Sequence, residues 1–183
     1  MGVIAKYKFN NTLEANLLPE FNSEFTSDLY TVTDEVNGDI TTRTIESDSL
    51  PTRMRFGAAE SSVATERSKS LIEIKSLDIS NCKNLYHNFR YCINLTTVNG
   101  LNIHSGITGL DNTFGICSSL EFVDTSNWDT SNVANMGYMF AGSVKLVALD
   151  TSNWITSNVT NMSDMFCGCY DLTTLYVSNW DVS

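Results

Sequence analysis

Two histidines, His87 and His104, and five cysteines, Cys82, Cys92, Cys117, Cys167 and Cys169, are the side chains best suited to nucleophilic or metal chemistry. A catalytic histidine needs a nucleophile and an orienting carboxylate, and structural zinc needs four well-spaced ligands. Neither histidine sits in a Ser/His/Asp or His-Glu-x-x-His context, and both are expected on a loop or on the surface. Cys167-Gly168-Cys169 is too sparse for zinc, and no glycine-rich phosphate loop precedes a helix; Gly100, Gly106 and Gly109 read as turn residues. Asp124 and Asp150 recur at an interval of 26 residues, which would suit paired carboxylates, but recurrence at a repeat register needs no catalysis. The residues therefore point to no catalytic group, no metal and no cofactor: a chain that binds rather than an enzyme.

Composition narrows what it would bind. The formal net charge is −10, and residues 71–183 carry ten acidic side chains against four basic ones, Lys75, Lys83, Arg90 and Lys145. Such a surface repels phosphate, which disfavours nucleic acid and anionic membranes as partners. No run approaches the ~18 apolar residues of a membrane-spanning helix, and the start, Met-Gly-Val-Ile-Ala-Lys-Tyr-Lys-Phe, has no apolar signal-peptide core. A protein released on a virion would need no such signal, so the expected location is the cell surface, the exterior or a virion. Apolar content is 42%, enough for a core.

The elements that position these residues come from a repeat. Phe89, Phe114, Phe140 and Phe166 lie 25, 26 and 26 residues apart. Three residues after each stands Cys92, Cys117, Ser143 or Cys169, then Leu95, Leu120, Leu146 or Leu172, then Val98, Val123, Leu149 or Leu175. The segments beginning at Leu120 and Leu146 match at 15 of 26 positions. An earlier, degenerate copy runs through Leu77, Cys82 and Leu85. A unit this short cannot bury its own apolar face, so successive units should stack. Leu172-Thr-Thr-Leu175-Tyr-Val177 reads as a short strand. Val-x-x-Met-x-x-Met-Phe, with spacings of three and four, reads as one helical or 3₁₀ turn on the opposite wall. Trp128, Trp154 and Trp180 should form a buried aromatic column, with Asn127, Asn153 and Asn179 as an internal amide ladder. The cysteines at the Ser143 position read as small interior packing residues.

The pattern Leu-x-x-Leu-Asp-Thr-Ser-Asn-Trp-x-Thr-Ser-Asn-Val-x-Asn-Met-x-x-Met-Phe-x-Gly-(Ser/Cys)-x-x-Leu resembles the BspA-like leucine-rich repeat family of bacterial surface proteins, whose variants also occur in mycoplasma and phage-encoded proteins. The resemblance covers about residues 71–183. It implies an α/β repeat solenoid, a right-handed parallel leucine-rich-repeat coil of about four to five turns truncated at the C-terminus, without enzymatic activity and used for attachment to host proteins, cells or surfaces. In that geometry Thr97, Phe122, Ala148 and Thr174 face the concave surface, flanked by Asn99, Asp124, Asp150 and Tyr176. Phe122 and Tyr176 among carboxylates would suit a basic or polar protein ligand.

Residues 1–70 carry no repeat. Val3–Phe9 alternates like a strand, and residues 30–36, Asn37-Gly38 and residues 39–45 read as a hairpin with a type I′ turn; residues 57–70 read as a linker or short helix. The segment is expected to be a small β-rich cap on the first repeat. Alternatively it is an attachment module through which a phage tail or baseplate component, or a receptor-binding one, forms a homo-oligomer.

Overall fold

The structure, a computed structural model, describes residues 2–10, 20–21, 30–47, 54–56, 69 and 71–181. The linker or helix expected over 57–70 lies outside these, Lys69 apart.

The chain begins with β1 (Gly2–Asn10), in which Ile4, Tyr7 and Phe9 point into the core. A register shift between Val3 and Ala5 adds a bulge, so consecutive Ile4 and Ala5 are both buried. β2 (Glu20–Phe21) pairs with β5 (Met54–Arg55) in a small antiparallel ribbon. β3 (Tyr30–Asn37) and β4 (Ile40–Ser47) form the expected hairpin, but Asn37 pairs with Ile40, leaving Gly38-Asp39 as the loop. Glycine, at φ 61°, thus occupies the first central position, the pattern of a II′ rather than a I′ turn. The hairpin is pinned by a bidentate Arg43–Asp34 pair (2.7 and 2.6 Å), with the Arg43 guanidinium also over the Phe9 ring.

β4 pairs antiparallel with β1, and β1 pairs antiparallel with β6 (Leu71–Leu77). From there the direction changes: β6, β7 (Thr97–Val98) and β8 (Phe122–Val123) are parallel. One mixed six-stranded sheet results, in the order β3-β4-β1-β6-β7-β8. β9 (Ala148–Leu149) and β10 (Thr174–Leu175) form a separate parallel pair. Ile4, Tyr7, Phe9 and Phe56 from the front segment join the repeat residues in one apolar cluster.

These elements correct the fold expected from the sequence. The chain is not an α/β leucine-rich-repeat solenoid: it is β-rich with a mixed sheet, and among the described residues only Lys69 is helical. The segment expected to be helical shows why. At Met136, Tyr138, Phe140 and Gly142, alternate peptide N–H groups donate to Asn161, Ser163, Met165 and Cys167 of the following repeat (2.7–2.9 Å). A helix would return those donors to its own carbonyls. Tyr138 and Gly142 also have positive φ (55° and 75°), which interrupts any helical run. Spacings of three and four arise here from overlapping turns, such as Met139 N–H to Met136 O and Ser143 N–H to Phe140 O.

Stacking of the repeats is nevertheless close. Phe56, Phe89, Phe114, Phe140 and Phe166 form a column with ring centroids 5.8, 5.1, 5.3 and 5.8 Å apart, all near parallel. Trp128, Trp154 and Trp180 form a second column at 5.6 and 6.1 Å. Trp128 and Trp154 are buried. The thiols of Cys117 and Cys169 and the hydroxyl of Ser143 each donate to the phenylalanine carbonyl of the preceding repeat, all at 3.1 Å. Cysteine and serine interchange because both fit and both donate. Burial raises both thiols, Cys169 to about 11, so neither is an activated nucleophile.

The Thr-Ser-Asn triplets stitch the repeats in two directions. Buried Thr130 donates to Ile155 O (3.0 Å) and accepts from Ile155 N–H (2.8 Å), 25 residues ahead. Thr156 does the same with Asp181 (3.1 and 2.7 Å), and Thr125 and Thr151 donate to the carbonyls of Asp150 and Tyr176. The asparagines reach backward: Asn153 to the carbonyl of Ser126 (3.1 Å), Asn179 to that of Ser152 (2.7 Å) and Asn158 to that of Ser131 (2.6 Å). Asn127, Asn153 and Asn179 are exposed, so the expected internal ladder is instead a surface one. A second, half-buried ladder runs from Asn161 Nδ2 to Asn135 Oδ1 (2.9 Å) and from Asn135 Nδ2 to Asp111 Oδ1 (3.3 Å).

One register stores strain. Tyr91, Ile116, Gly142 and Gly168 all take positive φ, between 60° and 76°. A β-branched side chain there costs about 1–2 kcal/mol or more. Ile116 is 37% exposed, so most of its side chain is packed, and removing it forfeits about 1–2 kcal/mol of burial, which offsets the strain relieved. The strain is isolated by comparing two truncations: Ile116→Gly is expected to be about 1 kcal/mol more stable than Ile116→Ala, which keeps a Cβ at positive φ. Thermal denaturation checks it; a glycine variant that melts at or below the alanine variant contradicts the strain.

Candidate functional site

The strand residues that do not point inward form one open face. Val98, Val123 and Leu149 anchor β7, β8 and β9 to the core, and their neighbours Thr97, Phe122, Ala148 and Thr174 turn outward along one column. Two residues further along stand Asn99, Asp124, Asp150 and Tyr176 in a second column. Phe122 is 50% and Tyr176 55% exposed. The face begins beside β6, where Glu73 is paired with Lys8 (2.6 Å).

Asp124 and Asp150 are not an acid–base pair. Each carboxylate accepts the N–H of the serine two residues on, Ser126 at 3.0 Å and Ser152 at 2.9 Å. Asp78 and Asp129 do likewise with Ser80 (2.9 Å) and Ser131 (3.0 Å). Those of Asp78, Asp124 and Asp150 directly follow β6, β8 and β9, that of Asp129 follows Trp128, and each aims its carboxylate outward. The serine hydrogen bonds hold Asp124 and Asp150 below the usual carboxylate value. They are therefore fixed negative charges, with no proton to exchange near neutrality.

A cavity of about 350 Å³ opens on this face, lined by Phe122, Asp124, Ala148, Asp150, Thr174 and Tyr176 among others. Six of the eight residues expected at the site thus converge; Thr97 and Asn99 lie on the same face but outside the cavity. The cavity sits where the sheet is interrupted: β8 and β9 touch, but no ladder pairing joins them among the described residues. Ala148 adds to the opening, since its column places Phe122 before it and Thr174 after it. Neither the interruption nor Ser126, which holds Asp124 and lines the cavity, was expected from the sequence. The Asp-x-Ser spacing is the signal that could have found the serine.

The other chemistry-bearing residues serve the scaffold. His104 Nδ1 accepts from Gly106 N–H (3.0 Å) and its Nε2 lies 3.0 Å from Ile79 O, so the ring bridges adjacent repeats. His87, expected on a loop or on the surface, lies in a turn but is buried, beside Tyr86 and in a left-handed conformation (φ 56°). No group of three or more His, Cys, Asp or Glu side chains among the described residues could hold a metal. No described helix is long and apolar enough to cross a membrane.

Residues 108–183 match a family described as Mycoplasma protein of unknown function, DUF285. No curated protein and no solved structure matches the chain.

Proposed function

We propose that the chain is a non-enzymatic binding module whose open strand face meets a protein or cell-surface ligand, outside the cell or on a virion. The observation that carries this reading is the pair Phe122 and Tyr176, half exposed, the first on β8 and the second just past β10, at a cavity edged by two charged carboxylates. Burying a side chain of this size is worth about 1.5–3 kcal/mol, and aromatic anchors with few rotatable bonds are favoured at interfaces. The strands beneath them are stitched on both sides by the threonine and asparagine bonds, so the face is preorganised and loses little entropy on binding. The resemblance of residues 71–183 to BspA-like surface proteins supports attachment as the use.

The test is selection of binders from a random-peptide display library against the whole chain, followed by the double variant Phe122→Ala/Tyr176→Ala. Selected peptides are expected to lose at least about tenfold in affinity, about 1.4 kcal/mol, while the variant melts close to the parent because both rings are half in water. Peptides that bind the two proteins alike would overturn the face.

A further inference from the structure

We infer that the notch over Ala148 is a seat for a guanidinium: an arginine side chain presented by a basic segment of the partner. The inference rests on the face proposed above and specifies what enters it.

The cavity has an apolar part and an anionic part. Phe122 and Ala148 supply the exposed apolar lining, suited to the methylene stem of a long side chain. Asp124 and Asp150 supply two carboxylates from successive repeats, and each spends one oxygen on its own serine N–H. Among the described residues no lysine, arginine or histidine lines the cavity to neutralise them, and the chain as a whole carries −10. An anionic ligand would meet uncompensated repulsion, whereas a cation is drawn in. The interruption of the sheet adds a further feature: the edge of β8 that faces β9 keeps its backbone acceptors out of the ladder.

Arginine fits this set better than lysine. Its planar fork of donors can reach acceptors on two repeats at once, and its flat face can lie on the exposed Phe122 ring. An ammonium is a compact, strongly hydrated point charge that satisfies one acceptor group at a time. Ala148 is what leaves the seat open, because a larger side chain there would fill it.

The experiment uses the whole chain and three blocked peptides alternating glycine with arginine, with lysine or with glutamate, titrated by calorimetry at low and moderate salt. The arginine peptide is expected to bind, the lysine peptide several-fold more weakly, and the glutamate peptide not at all. Affinity for the arginine peptide should fall with added salt. Ala148→Leu, at an exposed position, and the double variant Asp124→Asn/Asp150→Asn, which keeps an oxygen for each serine N–H, should each weaken the arginine peptide about tenfold or more. No binding of the arginine peptide, equal binding of arginine and lysine peptides, or indifference to Ala148→Leu overturns the inference. If display-selected peptides still require Phe122 and Tyr176 yet ignore Ala148→Leu, the arginine seat falls while the binding face stands. If those peptides ignore both variants, the two fall together.

Discussion

Phe114→Ala is expected to lower the unfolding free energy by about 3–5 kcal/mol, the largest single effect in this chain. Phe114 is fully buried, with its ring 5.1 Å from Phe89 and 5.3 Å from Phe140 in the stack and 6.5 Å from Trp128. Truncation removes the apolar area and leaves a void that three rigid rings cannot collapse into. Against a typical total of about 5–15 kcal/mol, the variant would sit close to unfolding at room temperature. Urea denaturation followed by tryptophan fluorescence measures it. Phe166→Ala provides the comparison: its ring is only partly buried in the same column, so its loss should be clearly smaller. Equal losses at the two positions would show that burial within the stack is not what stabilises the chain.

The second large effect is expected from an isosteric change. Thr130→Val preserves volume but removes a buried hydroxyl that both donates to Ile155 O (3.0 Å) and accepts from Ile155 N–H (2.8 Å). Valine leaves a peptide donor and acceptor of the next repeat without that partner, and one unsatisfied buried group costs about 1–3 kcal/mol. A loss of about 2–3 kcal/mol is expected, with Thr130→Ser, which keeps the hydroxyl, much milder. Equivalent denaturation midpoints for the valine and serine variants would show that the hydroxyl does not join the repeats.

The aromatic and small-residue registers could be read from the chain because each rests on identity recurring at a fixed interval. Phe89 to Phe166, the three tryptophans and the exchange of Cys117 and Cys169 with Ser143 each keep a register of their own, and a residue in the middle of a stack has little freedom to be anything else. The wall carrying Met136–Gly142 was misread because spacings of three and four are shared by a helix and by overlapping turns with left-handed residues. Side-chain periodicity reports which residues point inward, not where the peptide N–H groups go. The curvature implied by helices on one side therefore does not follow, and the fold is a mixed β-sheet instead.

The candidate face was legible for a related reason. Once Val98, Val123 and Leu149 are inward, the strand period of two forces Thr97, Phe122, Ala148 and Thr174 outward. The opening among them was not legible. The repeats flanking β8 and β9 are the most alike in the chain, so nothing local marks the place where their ladder stops. Nor does alternation in Val3–Phe9 say that β1 would run antiparallel to β6 and shield its edge. That pairing joins residues some seventy positions apart, a separation at which local pattern carries no information about direction.

The interruption between β8 and β9 has a mechanical consequence. On the opposite wall the same two repeats remain joined, through Met136, Tyr138, Phe140 and Gly142 to their partners and through the asparagine rungs, while the ring stacks run between the walls without a gap. Across the gap itself Thr125 still donates to Asp150 O and Asn153 to Ser126 O. The two repeats are therefore tied on either side of the missing ladder, like a mortise cut into a jointed beam, and a guest meets an opening whose shape is set before it arrives.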